Sequence, residues 1–166
     1  MADLQSKLSE QLDALIAGKP IPASALPPVA AAPQPGKRPA EEMVGKKAPE
    51  FTLDTLEGKK VASADFGKNT ATVLNFVAPN CGYCKKQLPT VEKIREEYEK
   101  KGVRFVNVTQ TMGKEFSVEE MTKVFAETGA KLELAPDKGN AVGQKFQATS
   151  FPTMVVVSKD GTIAAV

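Results

Sequence analysis

Histidine and tryptophan are absent from the 166 residues, and cysteine occurs only at Cys81 and Cys84. Without histidine the chain holds no Ser-His or Cys-His couple and no imidazole metal ligand. Two cysteines cannot complete a tetrahedral zinc site, which takes four nitrogen or sulfur ligands, so a structural zinc would need a second chain. No run of 18 apolar residues is present, which leaves no candidate membrane span. Neither sign of charge dominates: 22 basic and 20 acidic residues give a net charge of +2. No nucleic acid and no membrane surface is therefore expected as the main partner. The N-terminus lacks the basic-then-apolar pattern of a signal peptide. A cytoplasmic protein is the simplest expectation, and a periplasmic or exported one if a signal was removed.

What is present is organised around residues 71–89. A β-prone apolar run, Ala71 to Val77, ends in a Pro-Asn turn, and Cys81-Gly82-Tyr83-Cys84 then opens a helical pattern. Only the deprotonated thiolate is a nucleophile, and an ordinary cysteine is mostly protonated at neutral pH. Cys81 precedes the helix, where free N–H groups and the helix dipole favour negative charge. Lys85 and Lys86 add positive potential. Cys84 sits one turn in and deeper, placed to attack a mixed disulfide formed at Cys81. A CxxC between a strand and a helix, with no other Cys or His, points to redox work.

The rest of the chain reads as support. Leu4, Leu8, Leu12, Leu15 and Ile16 make an apolar stripe at helical spacing over residues 3–17, stopped by Gly18 and Pro20. Residues 19–49 hold eight of the twelve prolines, and a Pro/Ala-rich linker is expected over 19–46. A hairpin is expected around Asp54–Gly58, and a short helical piece over Ser63–Gly67. A buried strand should follow over Val73–Val77, and a helix from Gly82 to about Lys100. Pro89 should kink that helix or end its first segment. Val103–Val108 is the next strand. Ser117, with Glu120 at the third helical position, caps a helix running to Gly129. A short strand at Leu132–Leu134, a short helix at Asn140–Phe146, a strand at Thr153–Val157 and a final hairpin at Lys159–Gly161 complete the pattern. This order gives an α/β fold: a mixed central sheet with flanking helices, an N-terminal β-hairpin extension, and a separate N-terminal amphipathic helix. Residues 47–166 should form the domain.

The sheet lacks a helix after its last strand to cover one face. The helix of residues 3–17 has the length and pattern to take that place, in its own chain or through a domain swap or a tandem-domain contact. A linker of about 30 residues reaches roughly 30 Å, enough for either. Leu8 and Leu12 decide it: exposed and away from the sheet, they would exclude the idea.

Ser150-Phe151-Pro152-Thr153 precedes a central strand, where a cis proline would bring the Phe151 backbone towards the cysteines and let an extended substrate pair with it. Together with Ala48-Pro-Glu-Phe-Thr-Leu53, Leu56-Glu-Gly-Lys59, Val73-Leu-Asn-Phe76, the CGYC with Leu88-Pro89 behind it, and Lys159-Asp-Gly161, it carries a resemblance. Residues 47–166 resemble the thioredoxin-fold family, in its TlpA/ResA-like branch related to the AhpC/TSA redoxins. The resemblance implies a thiol-disulfide oxidoreductase with Cys81 attacking, Cys84 resolving and Pro152 as the cis proline. Asn80, Tyr83, Phe151 and Pro152 would face the substrate. It implies no cofactor beyond a redox-active Cys81–Cys84 disulfide. The partners would be protein thiols or disulfides and an upstream thiol reductant or oxidant. Two positions depart from the pattern: Asn80 stands where tryptophan is usual, and Gln87 where glutamate is frequent. Two other readings stay open. A peroxiredoxin-like peroxidase needs Thr or Ser three before its cysteine and a supporting Arg, and Ala78 stands there. A redox-inactive adaptor would bind through the Phe151–Pro152 groove.

Overall fold

A computed structural model describes residues 2–19, 38–131 and 133–166. The expected linker lies mostly outside them. Its end does not: residues 39–43 form a 3-10 helix that buries Ala40 and Met43 against the sheet. Gly45 N donates to Ile163 O, and Ala48 N to Gly161 O, each at 2.8 Å. Residues 39–46, expected as linker, therefore pack against the sheet. Met43 and Ala40 supply apolar surface that a Pro-rich composition masked, and the backbone that follows finds an edge to pair with.

The elements in chain order are α1 (Ala2–Ile16), β1 (Thr52–Asp54), β2 (Lys60–Ala62), β3 (Ala71–Val77), α2 (Gly82–Tyr98), β4 (Val103–Thr109), α3 (Val118–Ala126), β5 (Glu133–Pro136), α4 (Ala141–Lys145), β6 (Thr153–Ser158) and β7 (Ile163–Ala165). Five strands form one sheet in the order β5-β4-β3-β6-β7. β3, β4 and β5 run parallel; β6 and β7 are antiparallel to their neighbours. All seven residues of β3 are buried, as a central strand covered on both faces requires. β1 and β2 form a separate antiparallel hairpin.

Alternation along the strands divides the core in two. Val73, Val77, Phe105, Leu134, Met154 and Val156 face α2, and Met121 and Phe125 of α3 join them. Leu74, Phe76, Val106, Val155 and Val157 face the other way, towards Phe51, Phe66 and Phe146. There Phe146 stacks edge-on against Phe51 at 5.7 Å and tilted against Phe76 at 5.5 Å.

The helix α1 belongs to the first core. Leu4, Leu8 and Leu12 are 2%, 0% and 0% exposed and share a cluster with Val91, Ile94, Val156 and Ala165. Tyr98 at the end of α2 donates to Ser9 O at 3.1 Å and Asp13 Oδ1 at 2.9 Å. Burial, with the Asp13 carboxylate beside it, pushes the Tyr98 phenol up to about 12. Thus α1 covers the sheet beside α2 within its own chain.

Helix ends follow the local chemistry. Ser117 and Glu120 form a reciprocal capping box at α3. Gly102, at φ 85°, turns the chain from α2 into β4, and a Cβ there would meet Thr70 Oγ1 at 2.7 Å. α2 does not end at Pro89 but runs from Gly82 to Tyr98. Pro89 is exposed, so the Lys85 carbonyl that loses its donor lies on the watered side of the helix.

The hairpin is tied to the sheet edge by charge. Glu133 accepts from Lys59 and Arg104, each at 3.0 Å, and Arg104 also donates to Lys60 O at 3.0 Å. Burial alone would raise the Glu133 carboxyl, but the hydrogen bonds from Lys59 and Arg104 outweigh it and hold the group below its usual range. A carboxyl lowered in the folded state stabilises above the unfolded pKa of about 4.3 and loses that contribution as pH falls through the folded value. Glu133→Gln is therefore expected to cost about 1 kcal/mol at pH 7. The difference from wild type should shrink as pH is lowered below the unfolded value, in denaturant titrations at neutral and acid pH.

Candidate active site

Cys81 and Cys84 are disulfide-bonded, with Cα atoms 5.3 Å apart. Cys81 caps α2 in extended conformation, at φ −91° and ψ 110°. Its sulfur accepts from Cys84 N at 3.2 Å, so a backbone dipole aims at the atom that would carry the thiolate charge. The two sulfurs are not equivalent. Cys81 retains 6% exposure; Cys84 has none and packs in the core with Leu88 and Val91. An incoming sulfur can reach only Cys81.

The opposite wall comes from the loop before β6. The Phe151–Pro152 peptide is cis, and Phe151 O lies 3.6 Å from Cys81 Sγ. Phe151 and Pro152 are half-buried, and Phe151 touches both cores. Tyr83 is 46% exposed beside the disulfide, with Lys86 Nζ 5.8 Å from its ring centre. The structure thus brings Cys81, Cys84, Phe151, Pro152 and Tyr83 to one end of the sheet. Pro89 lies further along α2 on its exposed side.

Asn80 reaches away from the cysteines. Its Nδ2 donates to Met112 O at 2.9 Å, tying the turn before Cys81 to the loop after β4. That loop is gripped from its far side too. Asn140 accepts from Thr111 N at 2.7 Å and donates to Thr111 O at 2.9 Å. Asp137, 4% exposed, accepts from Gln110 Nε2 and Gly143 N, both at 2.8 Å, and from Val142 N at 3.1 Å. The sequence reading missed these residues. Their only signals are an Asx-type pattern at Asp137 and Asn140 and a glycine at 143. A Cβ on Gly143 would meet Gln110 Oε1 at 2.1 Å. Gly143→Ala is accordingly expected to cost about 1–3 kcal/mol, read as a lowered denaturation midpoint.

The buried polar side chains of β3 and β4 are uncharged. Asn75 and Asn107 are paired across β3 and β4, and Asn75 Nδ2 donates to Asn107 Oδ1 at 3.0 Å. Alternation puts both on the α2 face. Gln87, one turn beyond Cys84, is 2% exposed, and its Oε1 has no hydrogen-bond partner among the described residues. Among the described residues the buried carboxylates are Glu92, paired with Arg95, and Asp137. Among the described residues no three His, Cys, Asp or Glu side chains stand close enough together to hold a metal.

A mixed sheet, a dithiol at the start of its central helix and a cis proline facing it define a thioredoxin-type fold. Residues 44–166 match the AhpC/TSA family, and the chain belongs to that family. The chain is similar to the thiol-disulfide oxidoreductase ResA of Bacillus thuringiensis subsp. konkukian, with 30% identity over 120 residues. That match covers 72% of this chain and 66% of ResA, so the chain spans just under two thirds of that relative. It is 32% identical over 121 residues to the thioredoxin-like protein YneN of Bacillus subtilis, covering 72% of this chain and 68% of YneN. Among solved structures, the thioredoxin domain of a thiol-disulfide oxidoreductase from Bacteroides vulgatus superposes with a TM-score of 0.63. It is 23% identical and covers 74% of this chain and 86% of that one.

Proposed function

We propose that the protein is a thiol-disulfide oxidoreductase acting on disulfides of protein substrates. The observation that carries this reading is the asymmetry of the pair. Cys81 Sγ is reachable, capped by Cys84 N and faced by Phe151 O, while Cys84 is sealed behind it. In the reducing direction the Cys81 thiolate attacks one sulfur of a substrate disulfide. A Cys81–substrate disulfide forms, and the other substrate sulfur leaves as thiolate and takes a proton. Cys84 then loses its proton and attacks Cys81 Sγ, expelling the second substrate thiolate. Two electrons have passed to the substrate, and Cys81–Cys84 is oxidised. An upstream dithiol returns it to the reduced form. The reverse sequence oxidises a substrate dithiol.

A peroxidase reading lacks the residues it needs. Ala78 stands three before Cys81, Arg95 is engaged by Glu92 and Glu99, and Arg104 by Glu133. The test is equilibration of the Cys81/Cys84 couple in glutathione buffers, with insulin-disulfide reduction as the activity. A reversible two-electron couple is expected. Its absence would leave only a redox-inactive adaptor.

The seat of α1 also fits the same helix from a second copy or a tandem domain. A dimer that grows with concentration in size-exclusion chromatography, and that vanishes with Leu8→Asp, would show such exchange.

A further inference from the structure

A cleft of about 460 Å³ opens between the loop after β4 and the start of α3, with Pro79 of the turn before Cys81 in its wall. Pro79, Phe116, Val118 and Met121 give it apolar walls, with Thr111 and Asp137 at its polar side. Pro79 is two residues from Cys81, and the residue between them, Asn80, is hydrogen-bonded to Met112 O. Asn140 holds Thr111 from the other side. The ledge between cleft and disulfide is therefore fixed before anything binds.

The exposed apolar surface converges there. Among the described residues, the large apolar side chains that stand exposed are Ile16, Tyr83, Met112 and Val118, at 37%, 46%, 44% and 54%. Three of these belong to the disulfide turn, the ledge and the cleft rim. Exposed apolar groups gathered at one place mark a binding surface more than scattered ones do.

We infer that this cleft receives an apolar side chain of the substrate polypeptide, close in sequence to the reacting cysteine. The inference rests on the oxidoreductase reading, because the substrate sulfur must meet Cys81 Sγ. A substrate in extended form alternates its side chains and advances about 3.3 Å per residue. With its backbone at Phe151 O and its cysteine at Cys81, a neighbouring side chain is carried across the Asn80–Met112 ledge into the cleft. Asn80 is then a positioning residue: it holds the ledge in place of presenting apolar surface of its own. Met112 and Val118 supply the apolar contact.

The test is a binding titration of the oxidised full chain, labelled at its methionine methyls, with carboxymethylated insulin B chain, whose blocked thiols cannot exchange. Saturable shifts are expected at Met112 and Met121, with Met43 in the opposite core unmoved. Val118→Asp puts a charge at the rim, and an acidic residue suits the first turn of α3. It should weaken the binding about tenfold and raise KM for insulin about tenfold, with kcat and the rate on a small aryl disulfide unchanged. Unmoved Met112 and Met121 methyls, or equal affinity in Val118→Asp, would overturn the inference. A wild-type chain with no reversible couple would sink the oxidoreductase reading instead, and the methyl shifts would still decide the cleft.

Discussion

Cys81→Ser is expected to lower insulin-disulfide turnover at least about a thousandfold, to the rate of the buffer thiol alone. Serine keeps the cap, since its oxygen can accept from Cys84 N as the sulfur does at 3.2 Å. It has no thiolate to attack with, so the fold stays and the chemistry goes. Cys84→Ser should fail at a different step. Cys81 still attacks, but nothing behind it expels the second substrate sulfur, and a Cys81–substrate disulfide should accumulate. Non-reducing electrophoresis and intact-mass measurement read that adduct. Multiple turnovers by Cys84→Ser would exclude the two-step sequence.

The resolving step also carries a pH dependence set by what surrounds Cys84. Its near neighbour on the helix is Gln87, buried and neutral, and the Asn75–Asn107 pair on the α2 face of the sheet is neutral as well. Glu92 is occupied by Arg95, with both hydrogen bonds in place. Among the described residues no buried carboxylate is free to accept the Cys84 proton, so release of substrate should speed up with rising pH through the neutral range. Gln87→Glu supplies an acceptor one turn away, and should flatten that dependence in single-turnover measurements.

The largest expected loss of stability lies far from the thiols. Leu8→Asp is expected to cost more than about 4 kcal/mol, because a charge replaces a side chain with no exposure in a packed core. Leu12→Ala should cost about 2–5 kcal/mol by the cavity it leaves. Tyr98→Phe removes one hydroxyl that meets both Ser9 O and Asp13, and should cost about 1 kcal/mol. Urea titrations of the full chain measure all three. If α1 were only a frayed tail, Leu8→Asp would leave the midpoint where it was. A large loss shows that the α2 face of the sheet is held closed by the N-terminal helix, and that α2 is supported from outside residues 47–166.

Much of this was readable from residues close together in the chain. The hairpin around Gly58, the Ser117–Glu120 box and the strand running into Cys81 are set by neighbours a few positions apart. Of the two effects expected at Pro89, an end to the helix did not occur: α2 runs through it to Tyr98. Residues 38–46 misled, because composition does not reveal that Met43 and Ala40 have a sheet to lie against.

The sequence by itself determined where the chemistry would lie. Two cysteines at a strand-to-helix junction, with no histidine in the chain, exclude Cys-His and imidazole-metal sites and point to thiol exchange. Those are properties of residue type and local spacing. The approach of Phe151 O to Cys81, 3.6 Å across 70 residues, was legible in the Phe151-Pro152 pair before β6. The tertiary structure alone decided how the site is held: Asn80 grips Met112 across 32 residues, and Tyr98 grips Asp13 across 85. Such contacts depend on strand order and on which face each helix covers. No local pattern encodes them, because they exist only once β3 is paired with β4 and β6 and α1 has closed over the sheet beside α2.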